Sequence, residues 1–285
     1  MRLSPPFLFA IDVGTSSLKG VLFNRDGKAL GMAAQSYTFI SPQPEWAEAN
    51  PHAWWQALLS VSQQLKETVQ GFDQINVIAL TGQMHTAILL DENGEALPPT
   101  ILWLDRRAIS ETAELQRRYS LPPYHLNSTY TLPKLLWLSR NQPGITARTH
   151  SLLFAKDFLR YRLTGKLLTD FTDAGGAALL DWDTMTWAKD RLEYTGFSAS
   201  ILPPLCHPTD DAGKLLPEMT ERLGVSPATR VLVGAGDVLA LVTGAPASTG
   251  RLFCSLGSSS MVFYPLINGK SFSDAQERIY VYPLL

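Results

Sequence analysis

The sequence predicts an α/β fold, and three observations carry that expectation. Three strand-like runs come before any helix, at Phe7–Ile11, Gly20–Asn24 and roughly Leu30–Phe39. Helical periodicity then takes over, first after Asn50 and again from Arg106 to about Thr164. Late in the chain, "RVLVGAGDVLALVTGAPASTG" reads as a strand, a tight loop and a helix. Three strands ahead of the first helix argue against a simple strand–helix alternation.

The elements follow in order. Asp26-Gly27 lies between the second and third runs, a dipeptide that favours a tight hairpin. Asn50 before Pro51 reads as a helix N-cap with proline at the first position. Behind it Trp54, Leu58, Val61, Leu65 and Val69 recur at helical spacing. "INVIALTGQ" is a buried strand ending in a loop, and "AILLDENGEALPPTILW" is a hairpin turning at Glu92–Gly94. "RRAISETAELQRRY", "LPKLLWLSRN" and "LLFAKDFLRYRLTG" each carry an apolar stripe with a charged face. Thr169–Pro217 is irregular, rich in Asp, Trp and Pro, with several of these side chains expected at the surface. Gly244–Gly250 suits a linker, and "RLFCSLGSSSMVFYPL" reads as strand, turn and strand.

Composition narrows the class. A chain of 285 residues suffices for one large domain or two small ones. Hydrophobic content of 45% with 18% charged residues belongs to a soluble globular protein. A net charge of −2 gives no reason to expect a nucleic acid or an acidic membrane as partner. No run approaches the ~18 apolar residues of a membrane span. Cys206 and Cys254 lie far apart, in no metal-like spacing, which fits a reducing cytoplasm.

Four short stretches could carry chemistry. In "IDVGTSSLKG" a buried strand ends on Asp12, and Gly14 lets a phosphate approach the backbone. Thr15, Ser16 and Ser17 add hydroxyls and N–H donors, and a carboxylate there makes sense if magnesium lies between it and the phosphate. A plain β-turn with Asp12 accepting local N–H bonds is the alternative. No Gly-Lys-Ser/Thr follows, so the Walker pattern is absent. In "VLVGAGDVLALVTGA" the sixth fingerprint position is Leu239, which rejects a dinucleotide site. Asp237 there opens a helix, either as an N-cap or as a general base. "CSLGSSSM" could grip phosphate or simply turn a hairpin, and His85 in "TGQMHTAILLD" lies just past a strand end.

The order of these stretches resembles the FGGY carbohydrate kinases, most of all their xylulokinase branch. "IDVGTSSLKGVLF", "TGQMHTAILLDENGEALPPTILWLDRRA", "LPKLLWL", "KDFLRYRLTG", "GAGDVLA" and "SLGSSS" succeed one another as in that family, across nearly everything from Phe7 onward. The resemblance implies an actin-like ATPase (ribonuclease H-like) domain, a mixed sheet flanked by helices. It implies ATP-dependent phosphorylation of a sugar or polyol hydroxyl, with ATP and Mg2+ as cofactors. It assigns Asp12 to the metal, and Gly14, Thr15, Ser16, Ser17 and Lys19 to the phosphates. Gly257 and Ser258 would meet the phosphates from the opposite side. Asp237 would take the proton from the attacking hydroxyl. Met84, His85 and Trp103 would line the sugar pocket, with Gln83 and Asp105 as further candidates.

The chain departs from the family at two pocket positions, where Leu104 and Val238 stand in place of asparagine. The substrate is therefore expected to be D-xylulose, a related pentulose, or another acceptor such as gluconate, ribulose or glycerol. The expected organisation is residues 1–247 as the sugar-binding domain and 248–285 as the start of a nucleotide-binding domain. The chain is expected to be the N-terminal portion of a kinase, incomplete in itself and inactive or weakly active. A sugar-binding or dimerising module without catalysis is the alternative of a different class, with a homodimer as its assembly. An actin-like ATPase or sensor is a third.

Overall fold

The computed structural model describes residues 7–121, 123, 125–245, 252–256 and 260–263. A seven-stranded mixed sheet forms the spine. Its spatial order is Asp211–Lys214, Arg230–Leu232, Ile75–Gly82, Phe7–Val13, Ser17–Phe23 and Ala29–Ser36, and the short strand Ala235–Gly236 also pairs with Ile75–Gly82. The first three strands form an antiparallel meander, as their position ahead of any helix predicts. Its second hairpin turn closes at Asp26-Gly27, where Gly27 has φ 77° and its N–H reaches the Asn24 carbonyl at 3.0 Å.

Phe7–Val13 and Ile75–Gly82 are parallel neighbours, so the chain between them must cross over. The helix Pro51–Thr68 makes that crossing. It starts where the sequence predicts, with Asn50 accepting from the His52 N–H at 3.0 Å and Pro51 in the first turn. Trp54, Leu58, Val61 and Leu65 are buried against the sheet. Burial of such side chains contributes roughly 1.5–3 kcal/mol each. Gly20 and Gly31 permit the close approach. A Cβ on Gly20 would lie 2.5 Å from Val61, and one on Gly31 would lie 2.3 Å from Val69.

A second core lies beside the first. Strands Ala96–Leu97, Ala87–Leu90 and Ser151–Phe154 form a small sheet, with the hairpin turning near Gly94 as expected. Helices Ile109–Tyr119 and Thr131–Asn141 cover it, burying Leu115, Leu132, Leu135 and Leu152 together. Among the described residues no helix is long and apolar enough to cross a membrane.

Three expectations are corrected. The stretch "LLFAKDFLRYRLTG", read as helical, opens in the strand Ser151–Phe154, because that segment pairs with Ala87–Leu90. The helix begins at Ala155, and Asp157 reaches back to the Phe154 N–H at 3.3 Å to close its first turn. The charged face of that helix points inward, with Lys156, Asp157 and Arg160 at 1% exposure or less. The irregular segment Thr169–Pro217 is built of short ordered pieces, and Asp170 and Asp173 are buried in it. The late hairpin is present as strands Phe253–Leu256 and Ser260–Phe263. Gly257 and Ser258, and the expected boundary at residue 247, lie outside the described residues.

Candidate active site

Asp12 stands one residue before the end of its strand, at the edge of a turn. The Gly14 N–H closes that turn on the Ser17 carbonyl at 3.0 Å. A Cβ on Gly14 would sit only 3.0 Å from the same carbonyl, so the tightness of the turn needs glycine. The turn is held from two sides. The Tyr37 hydroxyl donates to the Gly14 carbonyl at 2.7 Å, and the Tyr37 N–H donates to the Ser16 carbonyl at 3.0 Å. From the other side Gln83 Nε2 donates to the Gly14 carbonyl at 3.2 Å, and Trp103 Nε1 donates to Thr15 Oγ1 at 2.9 Å. Ser16 remains exposed, and Lys19 Nζ lies 3.9 Å from Asp12 Oδ2 across the antiparallel pair.

Asp237 arrives from the far end of the sequence. Gly234, at φ 86°, lets the backbone turn so tightly that a Cβ would meet the Leu80 carbonyl at 2.1 Å. Ala235–Gly236 then pairs with Ile75–Gly82, and the helix Asp237–Gly244 starts at the aspartate itself. Asp12 pairs with Thr81 on one side of that strand, and Ala235 pairs with Thr81 on the other. The two flanking backbones are therefore separated by two strand spacings, about 10 Å.

The carboxylates feel each other. Burial pushes Asp237 up to about 6, and the negative charge of Asp12 adds to the rise. Asp12 is also raised by burial, with Lys19 opposing. Two half-buried carboxylates offset by a single exposed lysine make a place where a hard cation fits, using one or two protein carboxylates and phosphate oxygens.

The expected sugar-pocket residues gather nearby, in unequal states. His85 is half-buried at φ 63°, its Nδ1 bonded to the Gly176 carbonyl and its ring 4.7 Å from that of Tyr130. Burial lowers it to about 4, so the imidazole is neutral at neutral pH. Met84 is buried as a wedge: a Cβ on Gly236 would meet its Cγ at 2.5 Å. Trp103 is half-buried and tied to Thr15. Gln83 and Asp105 are buried and engaged. Asp105 accepts from the Ala47 N–H at 2.6 Å and from Arg107 Nε and Nη2, and Arg107 in turn stacks 3.7 Å over Trp46. Asp105 therefore ties loops together, with both of its oxygens engaged. Leu104 packs against the main core.

Sequence reasoning missed a cluster directly behind Asp237. Lys156 Nζ lies 2.6 Å from Asp157 Oδ1, 2.6 Å from Asp170 Oδ2 and 2.9 Å from Asp173 Oδ2. These three carboxylates are close enough to hold a metal ion, but the lysine ammonium already sits among them. Arg160 donates to Asp157 at 2.7 Å and to the Val233 carbonyl at 2.6 Å. Burial opposes the charge on Lys156, yet the three carboxylates outweigh it and hold the lysine above its usual range. Three acids face two bases, and burial pushes the Asp173 carboxyl well up, with Lys156 opposing and Asp170 and Asp157 adding to the rise. The only sequence signal was the unusual density of charge, "AKDFLRYR" and "TDFTDAGG", inside apolar surroundings.

Comparison with known proteins is consistent with this geometry. The profile described as "FGGY family of carbohydrate kinases, N-terminal domain" matches residues 7–244. A xylulose kinase from Bacillus subtilis (strain 168) is 32% identical over 264 residues, covering 90% of this chain and 53% of the relative. Among solved structures, a xyloylose kinase from Brucella ovis superposes with a TM-score of 0.86 at 32% identity, over 90% of this chain and 54% of that one. A gluconate kinase from Lactobacillus acidophilus superposes with a TM-score of 0.89 at 26% identity, over 99% and 58%. The chain spans about half the length of the curated relatives it matches.

Proposed function

The chain belongs to the FGGY family of carbohydrate kinases, and from that premise we propose that it is the sugar-binding portion of an ATP-dependent kinase acting on a hydroxyl of a small sugar. D-xylulose or a related pentulose is the first candidate, on the strength of the xylulose kinase relatives. The observation that supports the reading is the pairing of Asp12 and Ala235 with opposite sides of Thr81, together with the effect of the Asp12 charge on Asp237. Residues 1–247 would form the sugar-binding domain and 248–285 the beginning of the nucleotide-binding one.

Each residue then has a physical task. Asp237, raised to about 6, is ionised at neutral pH yet basic enough to accept the proton of a hydroxyl as it attacks phosphorus. Asp12 would hold Mg2+, whose chemistry there is to neutralise the phosphate charge. Thr15, Ser16 and Ser17 would bind phosphate oxygens through backbone N–H groups and hydroxyls, with Gly14 leaving room for the phosphate to approach and Lys19 adding positive charge. Tyr37 and Gln83 fix that turn in advance, so its donors need no rearrangement on binding. His85 and Trp103 would orient the sugar, and Met84 would support them from beneath. Orientation and charge neutralisation account for most of the catalysis of phosphoryl transfer.

A second acceptor class is favoured by a specific observation. Leu104 packs against the core and Val238 follows the base, so neither offers a hydrogen bond. A gluconate kinase also superposes over 99% of the chain. Release of ADP measured across D-xylulose, D-ribulose, gluconate and glycerol, paired with calorimetric binding of each, separates the possibilities. Sugar-dependent ADP release supports the kinase reading and the preferred acceptor names its class. Binding of a sugar without ADP release leaves a sugar-binding module, and no binding of any of the four overturns the proposal.

A further inference from the structure

The Ala235–Gly236 peptide immediately before Asp237 is gripped at both of its polar atoms by threonine hydroxyls. Thr81 Oγ1 donates to the Ala235 carbonyl at 2.8 Å, and the Gly236 N–H donates to Thr172 Oγ1 at 2.8 Å. Ala235 C=O and Gly236 N–H belong to one planar unit, so the two bonds fix its rotation. That unit leads directly into Asp237, the first residue of its helix.

Thr172 is itself held from behind. Its hydroxyl donates to Asp170 Oδ1, which leaves the oxygen lone pairs turned to Gly236, and the Thr172 N–H donates to the same Asp170 oxygen at 2.8 Å. The other Asp170 oxygen lies against the Lys156 ammonium. Lys156 is in turn flanked by Asp157, which Arg160 ties to the Val233 carbonyl, two residues before the gripped peptide. The cluster thus reaches the base-bearing turn at Val233 and at Gly236. Space around it is closed: Lys156 Cδ lies 3.4 Å from where a Gly234 Cβ would stand, and Met84 fills the side of Gly236.

We propose that Thr172, backed by the buried Asp170–Lys156 pair, is a positioning residue that aims the Asp237 carboxylate into the cleft. The role rests on the reading of Asp237 as the base, but the positioning is a property of this chain whether or not it turns over sugar. Lys156 here occupies the place among three acids that a metal would take in a site open to solvent, so the turn gains a charged anchor that cannot dissociate. A hydroxyl is required at position 172, because it must accept from Gly236 and donate to Asp170 at once.

The test compares Thr172→Val, which keeps the shape and removes the hydroxyl, with Thr172→Ser, which keeps the hydroxyl. Two readouts are taken on the full chain by NMR: hydrogen exchange of the Gly236 amide and titration of the Asp237 carboxyl carbon. The parent should show a protected Gly236 amide, Thr172→Val should lose that protection and shift the Asp237 titration, and Thr172→Ser should restore both. Where sugar-dependent turnover is measurable, Thr172→Val should lower kcat by about 10²-fold with the sugar KM unchanged, the size expected for a misplaced reacting group. An unprotected Gly236 amide in the parent overturns the proposal, and so does an unaltered Asp237 titration in a folded Thr172→Val. Should Thr172→Val fail to fold, a Thr172→Ser that loses the Gly236 protection overturns it, and one that keeps both readouts supports it. If the parent shows no turnover, the proposed function fails while the two NMR readouts still decide the positioning.

Discussion

Two groups of acids lie within a few residues of each other and are treated in opposite ways. At the strand ends, Asp12 and Asp237 are half-buried and raised by burial, Asp12 adds to the rise of Asp237, and the ion pair to Asp12 comes from the exposed Lys19. Behind the cleft, Asp157, Asp170 and Asp173 are fully buried and close around Lys156 and Arg160. Charge left without a buried partner is a vacancy for a ligand, whereas charge matched inside is scaffold. The proposed site therefore falls at the unmatched acids, with the matched cluster as the frame behind it.

The most severe way to break this contrast is at the cleft. Asp237→Asn keeps the shape and removes the base, so phosphoryl transfer should fall by roughly 10²- to 10⁴-fold. Calorimetric sugar binding should survive the change, since the cluster and the pocket are untouched. Near-normal turnover in that variant would remove Asp237 from its role.

The second break is at the frame. Lys156→Met leaves three carboxyl groups facing only Arg160 in a water-excluded site. Stability measured by urea unfolding should drop by about 3–5 kcal/mol, the usual penalty for orphaning a buried charge. An unchanged midpoint would mean that the cluster takes up protons or water and is no frame at all.

The difference between the two groups also marks what the sequence could reveal. Asp12 and Asp237 were legible because each closes an apolar run beside glycine, and a strand end is where an α/β sheet meets ligands. The meander, the Asn50 cap and the Asp26-Gly27 turn were legible because their signals are local. The frame was not. Lys156, Asp157 and Arg160 show the periodicity of a solvated helix face, and only the return of Asp170 and Asp173 from a later segment makes that face internal. Tyr37 and Thr172 gave no signal, since a lone hydroxyl acquires its role from backbone groups 23 and 64 residues away. Asp105 was a further sugar-pocket candidate through the family resemblance, and the structure engages it with the Arg107 fork and the Ala47 N–H.

A milder pair of substitutions sharpens the frame itself. Burial pushes the Asp173 carboxyl well up and so disfavours its charge, and Asp173→Asn should change the urea midpoint little at neutral pH. Asp157 is different: burial opposes its charge, but Lys156 and Arg160 overcome it and hold the carboxyl below the usual range. Asp157→Asn removes a paired charge and should cost more, on the order of 1–3 kcal/mol for the bonds left unmade. Equal losses at the two positions would contradict the division of charge within the cluster.

The smallest expected effect probes the link between the two cleft acids. Asp237 in the parent should titrate near 6, against an ordinary 3.8, and burial is the larger cause with Asp12 the smaller. Asp12→Asn removes the like charge, so ionisation of Asp237 becomes easier and its titration moves to lower pH, while burial keeps it above the ordinary value. Carboxyl-carbon NMR is the measurement to use, because Asp12→Asn also removes the expected metal ligand and would suppress turnover for that separate reason. The same shift has a thermodynamic face. Between 3.8 and about 6 the folded protein binds more protons at Asp237 than the unfolded chain, so this group's contribution to stability declines as pH rises through that window. Asp12→Asn should narrow the window from its upper end. An Asp237 titration that stays in place when Asp12 is neutralised would mean that the two carboxylates do not share a cleft, and the assignment of one to metal and the other to the proton would fall with it.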